Sequence, residues 1–193
     1  KKYNEGLIAT SACLAGEVTH YASIGDYDKA RKAAIEYSEI FPDRFYLELQ
    51  DHDIPEEKQA HSILKKLSNE LGLPLVCTND CHYAYEDHWQ AHDILFCLGT
   101  GKSRSDNNRL RYEPRKFYIK SADEMWELFK DYPDALENTL KIAEQCNVEI
   151  PMGNYHLPKF PIPDNTGASS SDDYLKIICE TGLKKRYSHI TNE

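Results

Sequence analysis

RFYLELQDHDIPEEKQAHSILKKLSNELGLPLVCTND, Arg44 to Asp80, is the stretch whose reading decides the fold. It opens with an alternating run in which Phe45, Leu47 and Leu49 share one side, the period of a strand. Pro55 then stands where a helix can begin without losing a hydrogen bond, with Glu56 and Glu57 placed favourably against the helix dipole. Ala60, Ile63, Leu64, Leu67 and Leu71 follow at helical spacing and form a stripe to be buried. "PLVCTN" (Pro74–Asn79) is short, apolar and β-branched, and reads as a buried strand. A strand, a full helix and a second strand make a crossover, so the two strands are expected to run parallel.

The same alternation extends upstream. "GLIAT" (Gly6–Thr10) reads as a strand, and "YDKARKAAIEYSEIF" sets Ala30, Ala33, Ala34, Tyr37 and Phe41 on one helical face. The resulting β-α-β-α-β order predicts an α/β fold built of parallel βα units, either an open doubly wound sheet or a (β/α) barrel. In both, chemistry gathers at the carboxyl ends of the strands.

Downstream of residue 86 the pattern turns mostly helical. "EDHWQAHDILFCLGTG" reads as a helix stopping at Gly99 or Gly101, and "SADE" (Ser121–Glu124) as a capping box opening another. A helix from Pro133 is expected to turn Leu136, Leu140, Ala143 and Cys146 inward. "YHLPKFPIPDNTGASSS" is a Pro-rich and then Ser-rich connector, and "DDYLKIICETGLKKRY" a last helix with a basic end. These shifts divide the chain into 1–100, 101–163 and 164–193.

Composition narrows the function. The 193 residues carry a net charge of −9, which argues against the chain as a whole being a nucleic-acid-binding surface. No run of about 18 apolar residues exists, so no membrane span is expected. Six cysteines occur without any CxxC, a usage that predicts reduced thiols and a cytoplasmic setting. The chain starts without Met and enters an apolar run within six residues, as a piece of a longer protein would.

Three strand ends carry candidate chemistry. The first offers Cys13, the second Asp51, His52 and Asp53, and the third the Asp80-x-His82 pair. Thiolate, carboxylate and imidazole together suit a borderline-soft divalent metal. Taken singly, Cys13 reads as a small buried hydrophobe, His52 and Asp53 as turn and cap residues, and His88 and His92 as surface or packing residues. "GKSRSDNNR" (Gly101–Arg109) superficially suggests phosphate binding, but it lacks the leading Gly-x4 of a P-loop and follows a helix rather than a strand.

In order along the chain, "TSACLAGEV", "FYLELQDHDIPEE", "LPLVCTNDCHY", "AHDILFCLGTGK", "FYIKSADEMWELF", "ALENTLKIAEQCNVEIPMGNYHLPKFP" and "YLKIICETGLKKRY" resemble the polymerase-and-histidinol-phosphatase (PHP) domain of bacterial replicative DNA polymerase III alpha subunits. The resemblance runs from Gly6 to Tyr187 and implies a partial PHP-type distorted (β/α)7 barrel, its C-terminal half, followed by a mostly helical segment leading toward a polymerase palm. It implies Cys13, Asp80 and His82 as metal ligands, with His52 a neighbouring candidate, in a cluster of Zn, Mn or Mg that the parent would complete. The family's early His-x-His has no counterpart here, and the palm carboxylates are absent too. The isolated chain is therefore expected to hold metal weakly or not at all and to carry no catalytic residue of its own. For the parent the resemblance implies nucleotidyl transfer in DNA replication, a possible 3′–5′ exonuclease, and DNA and other replicase subunits as partners. A half-barrel would expose a strand edge, so self-association is a further expectation. The alternatives are a stand-alone PHP phosphoesterase and a catalytically inert interaction module.

Overall fold

A computed structural model describes residues 2–187. It divides into two compact units, Lys1–Asn147 and Val148–Glu193. In the first, β1 (Ala9–Thr10), β2 (Phe45–Leu49) and β3 (Leu75–Cys77) form one sheet in the order β1-β2-β3, with both pairings parallel. Ala9 is in register with Phe45, and Leu47 with Leu75. The fold is thus mixed α/β with parallel βα units, as the crossover pattern requires. The sequential strand order contains no reversal and is compatible with part of a PHP-type barrel.

The helices α1 (Glu17–Ser23), α2 (Tyr27–Ile40) and α3 (Pro55–Leu71) pack on one another, and α3 lies against β2. Their small and branched faces (Val18, Ala22, Ala30, Ala33, Ala34, Ala60, Leu64 and Leu67) close on Phe45, Leu47 and Leu49 to make the core. Tyr37, Phe41, Ile63 and Leu71 pack at its margin, completing the two stripes expected from their spacing.

Three local expectations are corrected, and one short helix went unread. The first strand is only Ala9–Thr10, with Leu7 exposed. The helix α1 was not legible, because seven residues with Val18 and Thr19 in the middle carry little intrinsic propensity. It is held by tertiary contacts instead: Val18 and Ala22 are buried, and Thr19 Oγ1 donates to Ser11 O at 3.1 Å. All five residues of β2 are buried, not one face of it: Phe45, Leu47 and Leu49 lie in the apolar core, and Glu48 on the other face is paired with Thr10, Thr78 and Gln50. Finally, α6 (Pro133–Gln145) buries Ala135, Leu136 and Asn138, whereas Leu140, Ala143 and Cys146 are exposed. Only the first turns of that helix cross β3, where Asn138 Nδ2 donates to Leu75 O at 2.8 Å, and this fixes the buried face.

Between β3 and α6 the chain forms α4 (Trp89–Thr100), which ends on a left-handed Gly101, and α5 (Ala122–Leu128). The expected capping box opens α5: Ser121 Oγ accepts from Glu124 N at 3.3 Å, and Glu124 Oε2 from Ser121 N at 2.8 Å. In the second unit, α7 (Ser171–Arg186) carries the expected basic end at Lys184, Lys185 and Arg186. Phe160 of the preceding segment stacks on Tyr174 at 5.7 Å.

Candidate functional site

Parallel strands deliver their carboxyl ends to one rim, and each of the three leads into a loop bearing a candidate residue. Cys13 follows β1 in a tight turn, half-buried, with its carbonyl accepting from Gly16 N at 2.8 Å. A Cβ at position 16 would lie 2.1 Å from Ser11 O, so the turn admits only glycine there. Ala12 beside it has φ of 59°, a left-handed conformation an alanine adopts only where the surroundings enforce it. Cys13 borders a cavity of about 10 Å³, room for a single water, together with Glu48, Gln50, Glu57 and His61.

After β2 the loop holds His52, which is 1 % exposed. Glu57 of the first turn of α3 clamps it twice: Oε2 accepts from the His52 backbone N–H at 2.7 Å, and Oε1 lies 2.8 Å from Nδ1. A carboxylate can only accept, so Nδ1 bears the proton and Nε2 the lone pair. That Nε2 is buried and has no hydrogen-bond partner. An imidazole fixed by a carboxylate through one nitrogen and open at the other is the arrangement that orients metal-binding histidines. Here the ring stacks on Phe117 at 4.2 Å.

After β3 come Asp80 and His82, whose Oδ2 and Nε2 are 3.5 Å apart, both partly exposed. The segment is fastened to residues 117–119: His82 N donates to Phe117 O at 2.8 Å, and Asn79 Nδ2 to Tyr118 O at 2.8 Å. The Phe117 ring also meets His82 edge-on at 5.5 Å, so one aromatic side chain touches both His52 and His82. His92 joins from α4, 5.7 Å from His82 between ring centroids, and burial with the neighbouring His82 holds its pKa below the usual imidazole value. His88 lies against Tyr85 instead.

The carboxyl ends of β1 and β3 are not adjacent. They share a rim, but β2 lies between them, which sets their ends roughly two strand spacings, about 10 Å, apart. Among the described residues no three His, Cys, Asp or Glu side chains are grouped to hold a metal ion. The donor types suit a divalent cation, but Asp80 and His82 together supply two ligands at most. Burial pushes the Cys77 thiol up to about 12. All six cysteines are free.

One polar element escaped the sequence reading. Glu48 points to the opposite face from the core leucines and accepts from Thr10 Oγ1, Thr78 Oγ1 and, at 2.7 Å, Gln50 Nε2. Ser11 Oγ takes the Glu48 backbone N–H at 2.8 Å. One buried carboxylate thereby ties all three strands together just beneath the candidate rim. The signal was present: a parallel strand flanked by helices is buried on both faces, so a glutamate within it must be paired internally.

With this geometry in place, similarity to known proteins becomes decisive. Residues 1–52 match the PHP domain family. The whole chain is 41% identical to the DNA polymerase III subunit alpha of Treponema pallidum (strain Nichols), of which it covers 16%. It is equally similar, 41%, to that of Borreliella burgdorferi over 17% of its length, and 40% identical over 96% of the chain to that of Pseudomonas fluorescens.

Over its whole length the chain is similar to one part of DNA polymerase III subunit alpha, and its first 52 residues are similar to the PHP domain.

It spans about one sixth of the length of these curated relatives. The PHP match ends at His52, so it includes Cys13, whereas Asp80 and His82 are covered by the polymerase-subunit similarity alone. No described helix of the chain is long and apolar enough to cross a membrane.

Proposed function

We propose that this chain is a piece of a replicative DNA polymerase alpha subunit and that Cys13, Asp80 and His82, with His52 beside them, contribute to a divalent-metal cluster of its PHP part. The observation that carries the reading is similarity over the full chain to polymerase subunits some six times longer, at 41% identity. That length also favours a polymerase over a stand-alone PHP phosphoesterase. The whole protein would perform template-directed nucleotidyl transfer, with DNA and other replicase subunits as partners, in the cytoplasm.

When bound, a divalent ion (Zn, Mn or Mg) would supply Lewis acidity and an activated water for 3′–5′ exonuclease or phosphoesterase chemistry. Further donors would come from outside the described residues. Within this chain, Cys13 would act as thiolate, Asp80 as carboxylate and His82 as neutral imidazole. Glu57 holds His52 in one tautomer, and Phe117 keeps His52 and His82 in fixed relation. Glu48 braces the three strand ends from below.

The test uses the full-length protein that contains this chain. An Asp80→Asn, His82→Ala double variant is expected to lose bound metal by elemental analysis and any 3′–5′ exonuclease activity, while primer extension persists. Unchanged metal content would refute the ligand assignment. Absence of primer extension by the full-length wild-type protein would refute the polymerase reading.

A further inference from the structure

The segment following α4 departs from the rest of the chain in charge. Residues 102–116 carry six basic side chains against two acidic ones, in a protein of net charge −9. The fold gathers four of the six, Arg104, Arg109, Arg111 and Arg115, around one cavity of about 130 Å³. Only Asp93 and Glu113 among its lining residues are acidic, so the cavity is net positive.

The four arginines are not equivalent. Arg109 is nearly buried and spends its guanidinium fork on Asp93, with Nη2 donating to Oδ2 at 2.9 Å and Nη1 bonding Oδ1. Its Nε–H is buried without an acceptor, so the cluster is short of acceptors even before the other three are counted. Arg104 approaches the same carboxylate at 3.3 Å but is half exposed. Among the described residues Arg111 meets no carboxylate: it donates to the carbonyls of Asp106 and Asn107, which places its charge without neutralising it. Arg115 reaches Glu113 at 3.2 Å, and its Cζ lies over the Trp89 ring, 3.5 Å from the centroid.

The remaining walls are aromatic. Tyr112 stands edge-on to Phe96 at 5.5 Å and to His92 at 5.0 Å, and Tyr83 lies 5.4 Å from His92. Guanidinium groups beside aromatic side chains are the two elements by which proteins hold a nucleotide: forked N–H donors for the phosphate oxygens and a ring for the base. The P-loop comparison failed because this segment follows a helix and presents side chains rather than a glycine-rich backbone cradle. The anion site that the segment builds works by a different geometry.

We propose that Arg104, Arg111 and Arg115, held by the Arg109–Asp93 fork and the Trp89 ring, bind the phosphate of a nucleotide, either within a single-stranded nucleic acid or free. This site needs no metal and none of the ligands assigned above, so its failure would leave the metal reading untouched.

The test measures binding to the purified chain at 50 mM salt. The probes are a fluorescein-labelled 12-mer of deoxythymidylate, followed by anisotropy, and thymidine monophosphate, followed by quenching of tryptophan emission. The 12-mer is expected to bind with an affinity that falls as salt rises, with a slope of about −2 for two to three phosphate contacts on a single strand. Arg111→Glu should weaken binding about tenfold or more, and Arg104→Gln about threefold. Lys32→Glu, an equal charge change on the exposed side of α2, should have no effect. Arg104 makes no backbone contact, so Arg104→Gln remains informative if circular dichroism shows Arg111→Glu to be misfolded. Binding of the 12-mer alone assigns the site to a nucleic-acid backbone; Arg111-dependent binding of both probes assigns it to the nucleotide unit itself. The proposal is overturned if neither probe binds below about 1 mM, if Lys32→Glu weakens binding as much as Arg111→Glu, or if a poly-glutamate peptide competes as well as the 12-mer.

Discussion

Residues 9–77 and residues 80–117 are adjacent in sequence and held together by different physics. In the first, three strands and three helices close over alanines and leucines that water does not reach. In the second, α4 keeps only Cys97 buried while Ile94, Leu95 and Leu98 face outward. Order there comes from an arginine–carboxylate fork, stacked rings and backbone bonds to residues 117–119. The candidate rim lies on the seam. Cys13 and His52 are placed by the packed half, and Asp80 and His82 by the polar, aromatic half. Apolar packing supplies rigidity that spreads through the whole unit. Directional polar contacts supply local order that can be removed one bond at a time.

The contrast breaks if substitutions on the two sides behave alike. The largest effect is expected at the centre of the packed half: Leu47→Ala should cost about 3–4 kcal/mol, mostly from the cavity left in the sheet, and unfold the unit as a whole in a urea titration. A loss confined to β2, with the helices still protected, would show that the core is not cooperative. Glu48→Ala comes next, at about 2–3 kcal/mol, because Thr10, Thr78 and Gln50 are left without their shared acceptor. An effect below about 0.5 kcal/mol would mean that the carboxylate does not brace the strand ends.

On the other side, Asp93→Ala should loosen the loop by stranding the nearly buried Arg109, and amide exchange should accelerate only across α4 and the 101–116 loop. Global acceleration would erase the distinction between the halves. The same pair predicts a pH dependence. Arg109, and then Arg104, hold the Asp93 carboxyl below its ordinary value. Its contribution is therefore complete above the unfolded value of about 4 and is lost as pH falls through the lower folded value, so exchange in this loop should rise below pH of about 4. The smallest effect is expected at Ser121→Ala, about 1 kcal/mol, read as fraying of α5 alone.

Periodicity and capping chemistry are local properties, and they were legible. The parallel crossovers, the α2 and α3 stripes, the Ser121–Glu124 box and the helix stop at Gly101 each follow from residues within a few positions of one another. The candidate residues Cys13, His52, Asp80 and His82 were legible for the same reason: each sits where an apolar strand run ends.

What the sequence by itself determined, then, is which elements form and which residues stand at strand ends. Hydrophobic period and cap chemistry act over distances of one or two turns. Only the tertiary structure decided the rest. It set β2 between β1 and β3. It buried both faces of β2 and made Glu48 a tie among three strands. It gathered four arginines of the basic 102–116 segment around one aromatic-lined cavity. Each of these depends on which segments meet across tens of residues. That choice is made by the summed burial of the whole unit, a quantity that no short window of sequence contains.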